Sequence, residues 1–208
     1  GIMEAERIKE AAGGVKEADG GAESEAADEY IPTVPKFISS EEKEIVSNER
    51  GTAYHRVMEC LNYSKAGSTE DIKNEIDRMV REEKLSLKQA ECIKLKDIDT
   101  FAGSSIGERI KRAYAYGGVK REQPFVFEYD RQLVQGVIDL YFIEDGQLVI
   151  VDYKTDRVLR GRAGEDELRR RYSIQLDYYA MALSQITGLK VKEKVIYSFA
   201  LGRSLTVE

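Results

Sequence analysis

Only two cysteines, Cys60 and Cys92, occur in the 208 residues. That is too few for a disulfide framework, a four-cysteine zinc site or an iron–sulfur cluster. The expected setting is therefore the reducing cytoplasm. No apolar run approaches the length of a membrane span, so no membrane partner is expected. The first residues lack the basic-then-apolar pattern of a signal peptide. Nowhere is there a G-x-x-x-x-G-K-[ST] loop, which leaves this sequence without a recognisable ATP site. There is no internal repeat.

Charge is one-sided only at the start. The net charge of −6 sits entirely in residues 1–30, which hold nine acidic and three basic residues; residues 31–208 hold 29 of each. Rich in Glu, Ala and Gly, residues 1–30 have little to bury and read as an acidic linker or tail, disordered, with a marginal surface helix as the alternative. Such a start suggests a piece of a longer protein. The balanced remainder, residues 31–208, is one domain. Balanced charge neither supports nor excludes DNA, because bound cations and local basic stretches can hold a phosphate backbone.

Helical periodicity comes first. It runs from Glu41 to Leu61, then through Ile72, Ile76, Met79 and Val80, with Gly67-Ser68-Thr69 between as stop and cap. Leu87 to Ile98 and Ser104 to Ala115 read as two more helices, and Gly117-Gly118 ends the helical region. Strand composition follows at Phe125–Tyr129, Leu133–Ile143 and Leu148–Tyr153. A long helix over Asp166–Ile186 and a last strand over Lys194–Leu201 complete the pattern. The expected fold is α/β or α+β, a mixed central sheet flanked by helices with an N-terminal helical region.

The most informative stretch is Gly136 to Thr155. Asp145-Gly146 signals a two-residue hairpin turn. Counting outward pairs Ile143 with Leu148, Phe142 with Val149 and Leu140 with Val151, and the next pair is Asp139 with Asp152. Two aspartates opposed on one face would lie about 5 Å apart at Cβ and repel. Alternation puts Lys154 on the face of Asp152. A lysine offsets part of that repulsion, and a divalent cation offsets more. A surface position for either aspartate, with Lys154 as an ordinary partner, stays open at this point, and a β-bulge would spoil the register.

Asp139-x12-Asp152-x-Lys154 resembles the core signature of PD-(D/E)XK nucleases. Gly51-Thr52-x-x-His55-x-x-x-Glu59 is similar to the G-T-x-x-H-x-x-x-E helix motif of the RecB branch. Arg121-Glu122-Gln123-Pro124-Phe125 resembles the strand before their catalytic hairpin. Gly136-Val137-Ile138-Asp139 and Val151-Asp152-Tyr153-Lys154-Thr155-Asp156 resemble G-x-I-D and D-Y-K-T. Gln175-Leu176-Asp177-Tyr178-Tyr179 resembles the trailing Q-x-x-x-Y helix motif. Five motifs in order, over roughly residues 45–200, identify a RecB-family pattern whose nearest kin are nuclease domains of AddA-type helicase–nucleases. The related AddB and Cas4-like proteins carry four cluster cysteines, which this chain lacks.

That resemblance implies a restriction-endonuclease-like core and a Mg²⁺- or Mn²⁺-dependent deoxyribonuclease, an exonuclease in double-strand-break repair and recombination. Its catalytic residues would be Asp139, Asp152 and Lys154. His55, Asp139, Asp152, the backbone carbonyl of Tyr153 and, directly or through water, Glu122 would hold the metal. Glu59, Gln175 and Tyr179 would support them or touch DNA, as could the arginine run Arg157, Arg160, Arg162 and Arg169 to Arg171. The implied partners are single-stranded DNA, a helicase part of the same parent chain and a second subunit of AddB type. Two other readings remain: a retired fold kept for DNA binding or subunit docking, and a hydrolase of other phosphate esters.

Overall fold

The structure, a computed structural model, describes residues 41–208, with side chains from Asn48 onward. The acidic stretch 1–30 and the domain boundary at residue 31 lie outside the described residues. The element order is α1 (Glu41–Cys60), a 3-10 turn (Tyr63–Lys65), α2 (Thr69–Arg81), α3 (Leu87–Glu91), α4 (Leu95–Ala102), α5 (Ser105–Ala115), β1 (Val119–Tyr129), β2 (Gln132–Glu144), β3 (Gln147–Lys154), α6 (Arg162–Thr187), β4 (Val191–Ser198) and β5 (Arg203–Val207).

Local chemistry sets most boundaries. Ser68 and Ser104 accept backbone hydrogen bonds from Asp71 and Gly107, capping α2 and α5, and so satisfy amides the first turn leaves unpaired. The expected single helix from Leu87 to Ile98 is instead two. Ser86 and Gln89 form a capping box that starts α3, but Lys94 is extended and its N–H donates to the Tyr54 hydroxyl on α1 at 3.3 Å. A tertiary hydrogen bond replaces a helical one, and the break sends Ile93 into the core. The last strand is also corrected. Lys194–Leu201 divides into β4 and a turn through Gly202, φ +65°, which leads into the antiparallel β5.

Five strands form a mixed sheet in the order β1-β2-β3-β4-β5. β3 and β4 are parallel, and α6 makes the crossover that such a pair requires. Two cores cover the faces. On one, Tyr54, Val57, Met58 and Phe101 from the helices meet Leu140, Phe142, Val149, Val151 and Tyr153. On the other, Leu168, Leu176, Tyr179 and Leu183 of α6 meet Ile138, Leu148, Ile150 and Ile196. β3 is buried on both sides, which accounts for its unbroken apolar run. Arg109 of α5 bonds Glu144 through both nitrogens of a fork and reaches Glu193, tying that helix to β2 and β4.

Candidate active site

The expected hairpin register holds from the turn inward. Asp145 and Gly146 both have positive φ, +52° and +74°, as a type I′ turn requires. Ile143↔Leu148, Phe142↔Val149 and Leu140↔Val151 pair as expected. There the ladder stops, one pair short of the two aspartates. On its other edge, β2 pairs Leu140 with Arg121 and Ile138 with Gln123, skipping Asp139 and Glu122.

The cause is a backbone kink. Glu122 has φ +46°, a left-handed conformation that costs a side-chain-bearing residue roughly 1–2 kcal/mol. Across it the alternation of β2 changes phase. Leu140 and Phe142 face the helical core, whereas Ile138 faces the α6 core. Asp139 sits at the phase change and does not face Asp152 across a ladder pair, which corrects that expectation. Its Oδ2 instead accepts the Tyr153 N–H at 2.7 Å, where a ladder bond would have run. Strain held at such a position is commonly functional.

Around this kink three donors converge. His55 on α1, Glu122 on β1 and Asp139 on β2 each offer a ligand atom, all within 4.8 Å of one another. His55 Nδ1 lies 3.3 Å from Asp139 Oδ1, and Nε2 lies 2.9 Å from the Tyr153 carbonyl. A neutral imidazole has only one N–H to offer these two acceptors. Burial would lower the His55 pKa, but the hydrogen bond and charge of Asp139 outweigh it and the net shift is upward. Glu122 is pushed up to about 7, by burial first and then by Asp139. Crowded carboxylates, an imidazole and a carbonyl oxygen form a donor set suited to a divalent cation.

Asp152 stands apart from that group of three. It is 0% exposed, and neither carboxylate oxygen accepts an aligned hydrogen bond. Lys154 Nζ lies 2.8 Å from its Oδ2, an ionic contact without hydrogen-bond alignment. Burial pushes the Asp152 carboxyl up while Lys154 holds it back. For Lys154, burial pulls the pKa down, and the charges of Asp152 and Asp139 carry it to a net increase. A buried carboxylate with unfilled acceptor positions is a second feature that fits a cation.

The supporting residues separate by role. Gln175 Oε1 accepts from Lys154 at 3.3 Å, and its amide donates to the Tyr179 hydroxyl. The Tyr179 ring belongs to the core, edge-on to Phe125. Glu59 forms an ion pair with Arg56 at 2.6 Å and is not one of the three converging donors. In the arginine run, Arg162, Arg169 and Arg171 pair with Glu165, Asp166, Glu167 or Asp156.

A cleft of about 890 Å³ opens here, lined among others by Thr52, His55, Arg56, Glu122, Asp156, Arg171 and Tyr172. Asp156, which ends the D-Y-K-T segment, was given no role by the sequence, and Tyr172 lay outside its motifs. The available signal was spacing, since Tyr172, Gln175 and Tyr179 stand at i, i+3 and i+7 on α6.

The family model described as the PD-(D/E)XK nuclease superfamily matches residues 29–205. The chain is 34% identical over 195 residues to the A-type subunit of the ATP-dependent helicase/nuclease of Clostridium novyi, covering 85% of this chain and 15% of that one. It is 32% identical over 222 residues to the corresponding subunit of Lachnoclostridium phytofermentans, covering 85% and 16%. With the corresponding subunit of Clostridium kluyveri it shares 36% over 182 residues, covering 80% and 14%. The chain thus spans only about a sixth of the length of these relatives.

Proposed function

The chain belongs to the PD-(D/E)XK nuclease superfamily, and from that membership we propose that it hydrolyses DNA phosphodiesters as the nuclease domain of an AddA-type helicase–nuclease. The observation that supports this reading is the convergence of His55, Glu122 and Asp139, together with a buried Asp152–Lys154 pair that feels the charges of Asp139 and His55. A buried carboxylate without an aligned hydrogen bond and a strained glutamate among the donors each carry a cost that a catalytic duty explains.

Nucleases of this superfamily use divalent metal ions, and His55, Glu122, Asp139, Asp152 and the Tyr153 carbonyl are the residues that would hold one. Oxygen donors with a single imidazole favour Mg²⁺ or Mn²⁺. When bound, such an ion neutralises phosphate charge and lowers the pKa of a water ligand. The chain's own groups supply the rest. Arg56 and Arg171 line the cleft wall, each already paired with an acidic neighbour that a phosphate would have to displace or share. Lys154, held by Gln175, presents its ammonium where charge builds on the scissile phosphoryl group. With one nitrogen given to the ion, His55 would keep a single N–H to orient one of its two oxygen neighbours, Asp139 Oδ1 or the Tyr153 carbonyl.

The names of the relatives support the wider setting. The parent chain would carry a helicase that feeds single-stranded DNA to this domain, alongside an AddB-type second subunit in the cytoplasm. The test is cleavage of a labelled single-stranded oligonucleotide with Mg²⁺ or Mn²⁺, compared with EDTA and with Asp152→Ala. Metal-dependent cutting lost in the variant is expected. Equal cutting by both proteins would overturn the reading.

A further inference from the structure

Lys154 has partners of three different kinds. Asp152 Oδ2 is ionic at 2.8 Å, and Gln175 Oε1 is a neutral acceptor at 3.3 Å. The third is the face of the Tyr172 ring, whose centroid lies 4.3 Å from Nζ. An ammonium over an aromatic face is attracted by the ring quadrupole, more strongly where water is excluded. The Lys154 side chain is only 13% exposed.

Tyr172 is itself anchored. Its hydroxyl donates to Asp156 Oδ1 at 2.8 Å, and Arg171 Nη1 lies 3.5 Å from the same oxygen. Asp156 lies two residues beyond Lys154, on the segment leaving β3. Backbone, carboxylate, phenol and ammonium therefore close a ring that fixes the aromatic face beneath Nζ. Burial, and then the charge of Asp156, keep the phenol protonated, so it stays neutral.

The three partners differ in what becomes of them when the site works. Under the nuclease reading, on which this inference rests, Asp152 serves as a ligand and has less of its charge to give to Lys154. Gln175 and Tyr172 are neutral and do not join the donor group. We propose that Tyr172, anchored by Asp156 at the cleft wall, is the positioning residue for Lys154, holding its ammonium over the ring after Asp152 has turned to other duty. Tyr172 does not touch the scissile phosphate in this scheme and acts only through Lys154.

The test uses the 208-residue protein labelled with ¹³C at the lysine ε carbon, with Lys154→Arg assigning the Lys154 resonance. In EDTA, the ε-methylene protons of Lys154 should appear upfield of the other lysines because of the ring current. Tyr172→Phe keeps the ring but loses its anchor and should keep only part of that shift, whereas Tyr172→Leu should lose it. On single-stranded DNA with Mg²⁺, Tyr172→Leu should lower kcat about tenfold at unchanged KM. Tyr172→Phe and Asp156→Asn, which lose only the anchor, should fall between Tyr172→Leu and wild type. An unchanged Lys154 shift in Tyr172→Leu, or wild-type kcat in that variant, would overturn the proposal. If the wild-type protein cuts nothing, the nuclease reading fails, and the resonance alone still decides whether Tyr172 seats Lys154.

Discussion

Consider Lys154→Met in metal-free protein. The methionine fills much of the lysine's volume but leaves Asp152 fully buried, with no aligned hydrogen bond and no counter-charge in contact. Breaking a buried pair from one side typically costs about 3–5 kcal/mol. Proton uptake limits the loss, because Asp152 can take a proton instead of remaining charged, and burial has already raised its carboxyl in the wild type. The expected loss at pH 7 is therefore about 1–3 kcal/mol, at or below the low end of that range. A carboxyl whose folded pKa is raised is penalised above its unfolded pKa, so the loss should shrink on acidification until the wild-type carboxyl takes up its own proton. Removing both charges, as Asp152→Asn with Lys154→Met, should return stability to within about 1 kcal/mol of wild type. Urea unfolding in EDTA followed by far-UV circular dichroism suits a chain without tryptophan. A loss below about 1 kcal/mol for Lys154→Met at pH 7 would refute the argument. So would a double variant whose loss equals the sum of the two single losses.

Three further outcomes are expected. Glu144→Gln should destabilise the protein at pH 7. Arg109 first and then Lys192 hold the Glu144 carboxyl down to about 2, so the difference from wild type should vanish as pH falls from 4.5 towards 2 in acid-denaturation profiles. Gly164→Ala should cost about 1–3 kcal/mol in urea unfolding, because a Cβ there would lie 1.8 Å from the Leu159 carbonyl oxygen, a backbone atom that cannot swing aside. Saturating Mg²⁺ at about 100 times Kd should stabilise the wild-type protein by about 2.7 kcal/mol. Glu122→Gln should lose most of that gain in a thermal-shift series, and an equal gain in both would remove Glu122 from the metal site.

The hairpin was the most legible part of the chain, because Asp145-Gly146 is both a turn signal and a register mark. Counting from it placed Leu140 against Val151 correctly. It did not place Asp139, because nothing in the residue type of Glu122 announces a left-handed backbone. Glutamate is an ordinary strand-edge residue, and only the crowding of donors around it explains the strain. Periodicity found α1, α2, α5 and α6 but ran through the break at Lys94, which depends on a hydroxyl forty positions away. β5 was missed because Arg203-Ser204-Leu205-Thr206-Val207 is too short to stand out from a turn. The resemblance carried His55 and Glu122 into the candidate set where spacing alone did not. Tyr172 escaped because an aromatic at helical spacing is usually core, and here it is half-buried beneath a cation.

β3 lies in the middle of the sheet, sealed from both sides, and Asp152, Tyr153 and Lys154 are its last three residues. Amides in such a strand exchange with solvent only through the largest openings of the molecule. These groups therefore have no local melting of their own. Mild heat or denaturant that loosens surface segments should leave them in register, and their loss should coincide with unfolding of the sheet. Activity would then work as a gauge of how much protein is folded, reporting intact molecules in proportion rather than a population of softened sites.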